Sequence, residues 1–170
     1  MLRILLLLFV CVNIHAGDDS SPEVTIQQGK LRGFKLTSRK GRDFFAFQRI
    51  PYVKSPVGNL RFQSPQPLEK WEGVLDATKD IPECPQRNIF MQKFEISGEE
   101  DCLYINVYTP QIDKNNPLDV LVYIHGGGWV AFSSADGAPQ HFMDKDVVLV
   151  TFNYRLGPLG YTASFIFWKT

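Results

Sequence analysis

The chain has 170 residues, and its 18 Lys plus Arg balance 18 Asp plus Glu, so the formal net charge is zero. That length suits about one domain, and with no basic stripe or polyanionic tract, nucleic acid is not an expected partner. A hydrophobic content of 44% with 13% aromatics belongs to a chain that builds a core, not to a disordered one.

The amino terminus reads as a targeting segment. Arg3 gives a positive start, and Ile4 to Val12 form an apolar run too short to span a bilayer comfortably. Ala16 supplies the small residue of a cleavage site, although Ile14 is bulkier than the usual pattern prefers. The polar stretch Gly17 to Ser21 favours cleavage over a retained signal anchor. Residues 1–16 are therefore expected to be a signal peptide, and the product to be secreted and extracellular with no stable membrane anchor. Cys11 leaves with the signal, so Cys84 and Cys102 remain in an oxidising compartment. A bridge between them would close a loop of about 18 residues, worth roughly 3 kcal/mol in the chain-entropy model. The alternatives are two free thiols, or one pairing elsewhere.

Strand signals follow. Val24 to Ile26 alternates, Gln28-Gly29 turns, and Leu31 to Leu36 returns, which predicts a hairpin. Phe44 to Ile50 is an aromatic-rich strand ended by Pro51, and prolines keep the chain extended as far as Pro67. Asp101 to Tyr108 reads as a strand with Leu103, Ile105 and Val107 on one face, and Asn115-Asn116-Pro117 as a turn. Val120 to Ile124 and Val147 to Phe152 are apolar runs expected to be strands buried on both faces. Only a weak helical segment, Pro139 to Asp144, lies between them, at a length that suits a parallel crossover.

His125-Gly126-Gly127-Gly128-Trp129 follows the first apolar run. Glycines at the carboxyl end of a strand leave backbone N–H groups uncovered, able to approach a ligand closely. Donors there can hold the negative oxygen that develops when an acyl carbonyl is attacked. A bare Gly-rich run is equally a tight turn, but the preceding His, the following Trp and the strand context match an HGGG-type loop. His125 is expected to shape the loop, not to act as a base.

Longer stretches resemble the type-B carboxylesterase/lipase family of α/β-hydrolases. Arg49-Ile50-Pro51-Tyr52 and Pro56-Val57-Gly58-Asn59-Leu60-Arg61-Phe62 are similar to its "GIPYA…PPVGxLRF" opening. Glu100 to Pro110 resembles its "EDCLYLNVYTP" signature, and Asn153-Tyr154-Arg155-Leu156-Gly157 the end of its next strand. The resemblance implies an α/β fold: the amino-terminal part of an α/β-hydrolase, with a mixed, mostly parallel sheet preceded by antiparallel hairpins, and incomplete. Residues 17–163 would be a partial domain and 164–170 a divergent tail. It further implies an oxyanion hole from the N–H groups of Gly127 and Gly128, a disulfide between Cys84 and Cys102, and an ion pair between Arg61 and Glu100. No metal or organic cofactor is called for. The partner would be a small-molecule carboxylic ester, bound by the full-length protein.

Departures carry information too. Arg49 stands where the family usually has Gly, and Ser55 where Pro is common. The inter-cysteine loop has Phe90 and Phe94 but no Trp, so a cation–π site for a quaternary ammonium is disfavoured and both are expected to be packing residues. No G-x-S-x-G elbow occurs. Ser133, Ser134 and Ser164 lack the flanking glycines, and nothing around His141 suggests a base. The expectation is a portion of a serine esterase, inactive and poorly folded by itself. A non-catalytic adhesion or ligand-binding member of the same fold is the alternative.

Overall fold

The computed structural model describes residues 21–92 and 95–160. The expected signal peptide (1–16), Phe94, Ser164 and the expected tail (164–170) lie outside the described residues.

Two sheets form. The smaller contains β1 (Glu23–Thr25), β2 (Lys30–Arg32) and β5 (Val74–Asp76), in the order β1-β2-β5. The larger contains β3 (Phe34–Thr37), β4 (Asp43–Pro51), β6 (Tyr104–Thr109), β7 (Asp119–Ile124) and β8 (Val147–Phe152), in the order β3-β4-β6-β8-β7. The run Leu31 to Leu36, expected as one hairpin arm, is divided between the sheets at Gly33. A Cβ on Gly33 would lie 2.4 Å from the carbonyl oxygen of Ala46, so only glycine lets the chain turn this close to β4.

β7 and β8 pair in parallel, from Asp119 opposite Val147 to Ile124 opposite Phe152. A single-turn helix, α1 (Pro139–Phe142), lies in the crossover between them, with Pro139 at its first position. Parallel pairing is limited among the described residues to β7–β8 and β2–β5; the other pairings are antiparallel. The described segment thus carries the antiparallel opening of a mixed sheet and its first parallel crossover.

Each face of the larger sheet has its own core. Phe44, Ala46, Tyr108, Met143 and Leu149 fill one side, where the crossover from β7 to β8 folds back. Phe47 and Ile50 pack on the other side with Leu31 of the small sheet and Ala77 just beyond it. β7 departs from the expectation of burial. Val120, Val122 and Ile124 are 61%, 52% and 66% exposed. It is the edge strand of the described sheet, and its Val120/Val122/Ile124 face lies beyond the reach of the small sheet, which covers β4 and β6.

Candidate active site

The loop that leaves β7 is shaped by positive φ angles. Gly127 has φ +102° and Gly128 +60°, and Trp129 and Phe132 also lie in the left-handed region, at 61° and 76°. The carbonyl of Gly127 accepts from both Val130 N (3.1 Å) and Ala131 N (3.2 Å), which closes a tight turn. A Cβ on Gly127 would stand 2.0 Å from the carbonyl oxygen of Ala131. Glycine is therefore required there by space as well as by φ. Among the described residues, no acceptor takes the N–H of Gly127 or of Gly128.

His125 is only 3% exposed. Its Nδ1 lies 2.9 Å from the Gly126 carbonyl, which assigns the proton to that nitrogen. The ring stacks on Tyr154, and Tyr154 Oη donates to the His125 carbonyl at 2.6 Å. Burial holds the imidazole pKa below its ordinary value, so the ring is neutral at pH 7 and shapes the loop.

The far end of the loop is gripped by two buried amides that sequence reading did not single out. Gln86 Oε1 accepts from Phe132 N at 2.7 Å, and its Nε2 donates to the Phe132 carbonyl at 3.2 Å. Asn153 Oδ1 accepts from Ser134 N, and its Nδ2 donates to the Pro82 carbonyl, both at 2.8 Å. Asn153 lay inside a quoted motif. Gln86 had only its place two residues after Cys84 to mark it. Between these grips, Ser133 caps a short 3-10 turn: Asp136 Oδ2 accepts from Ser133 N, and Ser133 Oγ accepts from Ala135 N. The hydroxyl of Ser134 is buried with no partner among the described residues. His141 is exposed on α1.

Cys84 and Cys102 form a disulfide, with Cα atoms 5.1 Å apart and both residues 1% exposed. Leu103 and Leu156 pack against it. Arg61 Nε donates to Glu100 Oε2 at 2.7 Å, with the two side chains 45% and 29% exposed, so this pair sits near the surface. Arg155 Nη1 donates to the carbonyls of Arg61 and Gln63, tying the Pro-rich stretch to the end of β8. Phe90 stacks on Phe132 at 5.6 Å between centroids but is itself 56% exposed, so it is not the buried packing residue expected. An open cleft of about 340 Å³ beside the loop is walled by Pro85, Ile96, Val130, Leu156 and Leu159. Among the described residues there is no His, Cys, Asp and Glu grouping fit for a metal, and no helix long and apolar enough to cross a membrane.

Arg49 sits at the irregularity in the β4–β6 register, with φ 55°. Asn106 Oδ1 accepts its N–H at 3.1 Å, and its guanidinium lies 5.3 Å from the Tyr104 ring centroid. The position asks for glycine, and this chain carries an arginine held by its neighbours.

Comparison with known proteins shows the family and the fold. The sequence model of the Carboxylesterase family matches residues 20–165. The juvenile hormone esterase of Tribolium castaneum is 44% identical over 154 residues, covering 89% of this chain and 26% of that protein. Venom carboxylesterase-6 of Apis mellifera is 38% identical over 169 residues, 96% of this chain and 30% of that protein. A solved PNB esterase superposes with a TM-score of 0.67 at 38% identity, over 83% of this chain and 28% of that one. The chain thus spans less than a third of the length of these relatives and matches an α/β-hydrolase in structure. It belongs to the carboxylesterase family.

Proposed function

We propose that this chain is the amino-terminal portion of a secreted serine carboxylesterase, and that it supplies the oxyanion hole. The observation that carries this reading is the pair of unengaged N–H groups at Gly127 and Gly128, in a turn whose closure demands glycine. When a nucleophilic serine adds to an ester carbonyl, the oxygen becomes anionic. Two fixed peptide donors then stabilise the tetrahedral species more than the ground state, and each is worth about 3 kcal/mol in comparable hydrolases. A histidine acts as base to the serine in such enzymes, and an acidic residue orients that histidine. The buried, neutral His125 is loop architecture in this scheme. The apolar cleft beside the loop suits the carbon skeleton of a small carboxylic ester. A buried disulfide supports an oxidising, extracellular destination. The 170 residues contain no nucleophile elbow and by themselves should not turn over an ester.

The test is a hybrid enzyme in which residues 21–160 replace the matching segment of the Tribolium castaneum juvenile hormone esterase. The hybrid should hydrolyse an aryl acetate, and Gly127→Ala should lower kcat by about a hundredfold or more. An active hybrid indifferent to Gly127→Ala and Gly128→Val together would overturn the oxyanion assignment, whereas a folded hybrid with no activity would favour the adhesion or ligand-binding alternative.

A further inference from the structure

We infer that Gln86 is a positioning residue for the carbonyl-binding loop, coupling it to the disulfide-closed segment. The inference rests on the oxyanion reading of Gly127 and Gly128.

Gln86 is 5% exposed, and each end of its amide is engaged. Toward Phe132 it behaves as a peptide group would, accepting from the N–H and donating to the C=O, as neighbouring strands do. Its Nε2 also lies 3.3 Å from the Cys84 carbonyl. Its own backbone is paired in both directions with Ser97, at 2.9 and 3.0 Å. The side chain therefore projects from a backbone locked on one side by the disulfide two residues before it and on the other by Ser97.

Phe132 needs such a grip. Its φ of 76° is costly for a residue with a Cβ, and it follows directly on Ala131, whose N–H closes the turn onto the Gly127 carbonyl. Release of Phe132 would free the chain to relax toward ordinary φ values and would open the turn that aims the two glycine amides. Donors of this kind are effective only when held in place before the charge develops, and a displacement of about 1 Å can cost about a hundredfold in rate. Gln86 borders the cleft beside the loop, but its amide is engaged by Phe132 and Cys84, so in this scheme it acts through the loop and not on the reacting atoms.

The hybrid enzyme described above serves for the test, with Gln86→Met and Gln86→Glu. Methionine keeps the length but leaves the N–H and C=O of Phe132 unpaired. Glutamate keeps the acceptor for Phe132 N and loses the donor. The expected result is a kcat lowered about thirtyfold in Gln86→Met, with KM within about twofold and a melting transition still cooperative. Gln86→Glu should fall between it and the parent. A Gln86→Met hybrid that keeps its kcat, while Gly127→Ala has lost it, overturns the positioning role and leaves the oxyanion reading intact. A fall in apparent kcat that disappears once rates are normalised to folded, titrated active sites likewise overturns it. If Gln86→Met does not fold, Gln86→Glu decides: a kcat equal to the parent's rejects the proposal, and a selective fall in kcat supports it.

Discussion

Tyr154 and His125 lie face to face, with ring centroids 4.2 Å apart and planes 12° from parallel, and the tyrosine hydroxyl donates to the histidine carbonyl. The contact joins the segment after β8 to the segment after β7, at the point where the glycine loop begins. Tyr154→Phe keeps the stacking and deletes the hydrogen bond, so it should lower stability by about 1 kcal/mol. Urea unfolding of the hybrid enzyme would measure this.

The same histidine predicts a pH dependence. Burial lowers its folded pKa, so the unfolded chain binds a proton more readily than the folded one. The stability that neutral His125 contributes is complete above its unfolded value of about 6.5 and declines as pH falls from there toward the depressed folded value. His125→Phe removes the titration and keeps a ring to stack on Tyr154. The difference in melting temperature between parent and variant should therefore shrink between pH 7.5 and pH 5. A difference that widens on acidification would contradict the assigned neutral state.

The three loop glycines should respond unequally. A Cβ at Gly126 meets nothing within 4 Å, and its φ lies outside the left-handed region, so Gly126→Ala should leave kcat within about twofold. Gly128→Ala has equal space but a φ of +60°, and should cost about 1 kcal/mol of stability. Gly127→Ala meets the Ala131 carbonyl as well and should be the most damaging. Kinetics and melting of the three variants, made in the hybrid, would rank them.

Arg49 offers an inverted propensity test. It lies within β4, where valine ordinarily outperforms glycine. Its φ of 55° reverses the order, because a β-branched side chain is badly strained there. Arg49→Gly should be more stable than Arg49→Val by about 1 kcal/mol or more. The opposite order, read from denaturant midpoints, would mean that the backbone irregularity relaxes when the arginine is removed.

The two clamps near the inter-cysteine loop should differ in weight. Loss of the Cys84–Cys102 bridge, as paired serines, should cost roughly 3 kcal/mol. Glu100→Gln breaks a near-surface contact with Arg61, is expected to cost far less, and should matter least at high salt. Melting at low and high ionic strength separates the two cases. An ion-pair variant as damaging as the disulfide variant would mean that the pair is shielded from water.

The exposed face of β7 predicts behaviour in solution. Residues 17–170 expressed alone should bind an apolar dye and sediment above the monomer mass, because Val120, Val122 and Ile124 are largely bare. A monomer with a cooperative melt would count heavily against that expectation.

Much of this arrangement was legible in the residues. The run Val147 to Phe152 and the turn residues at Asn115-Asn116 mark real elements because their patterns are local, whereas the strand expected from Asp101 starts only at Tyr104, with Leu103 before it packed on the disulfide apart from Ile105 and Val107. The break at Gly33 was not legible, since its cause is a carbonyl on β4, remote in sequence. The exposure of β7 was hidden for the same kind of reason: an apolar run says that a strand can be buried, and sheet order decides whether it is. The roles of Gln86 and Asn153 escaped because side-chain amides gripping a distant loop leave no periodic trace. The glycines announced a turn, but only the approach of Ala131 to Gly127 tells which of them is indispensable.

The sheet order β6-β8-β7 also has a consequence for biosynthesis. β7 leaves the ribosome before β8, yet β8 is the strand it pairs with in the described sheet. Its valines and isoleucine must therefore wait, unpaired, until synthesis has passed residue 152. During that interval the nascent polypeptide displays a sticky, strand-forming tract, and chaperones would find their natural target there.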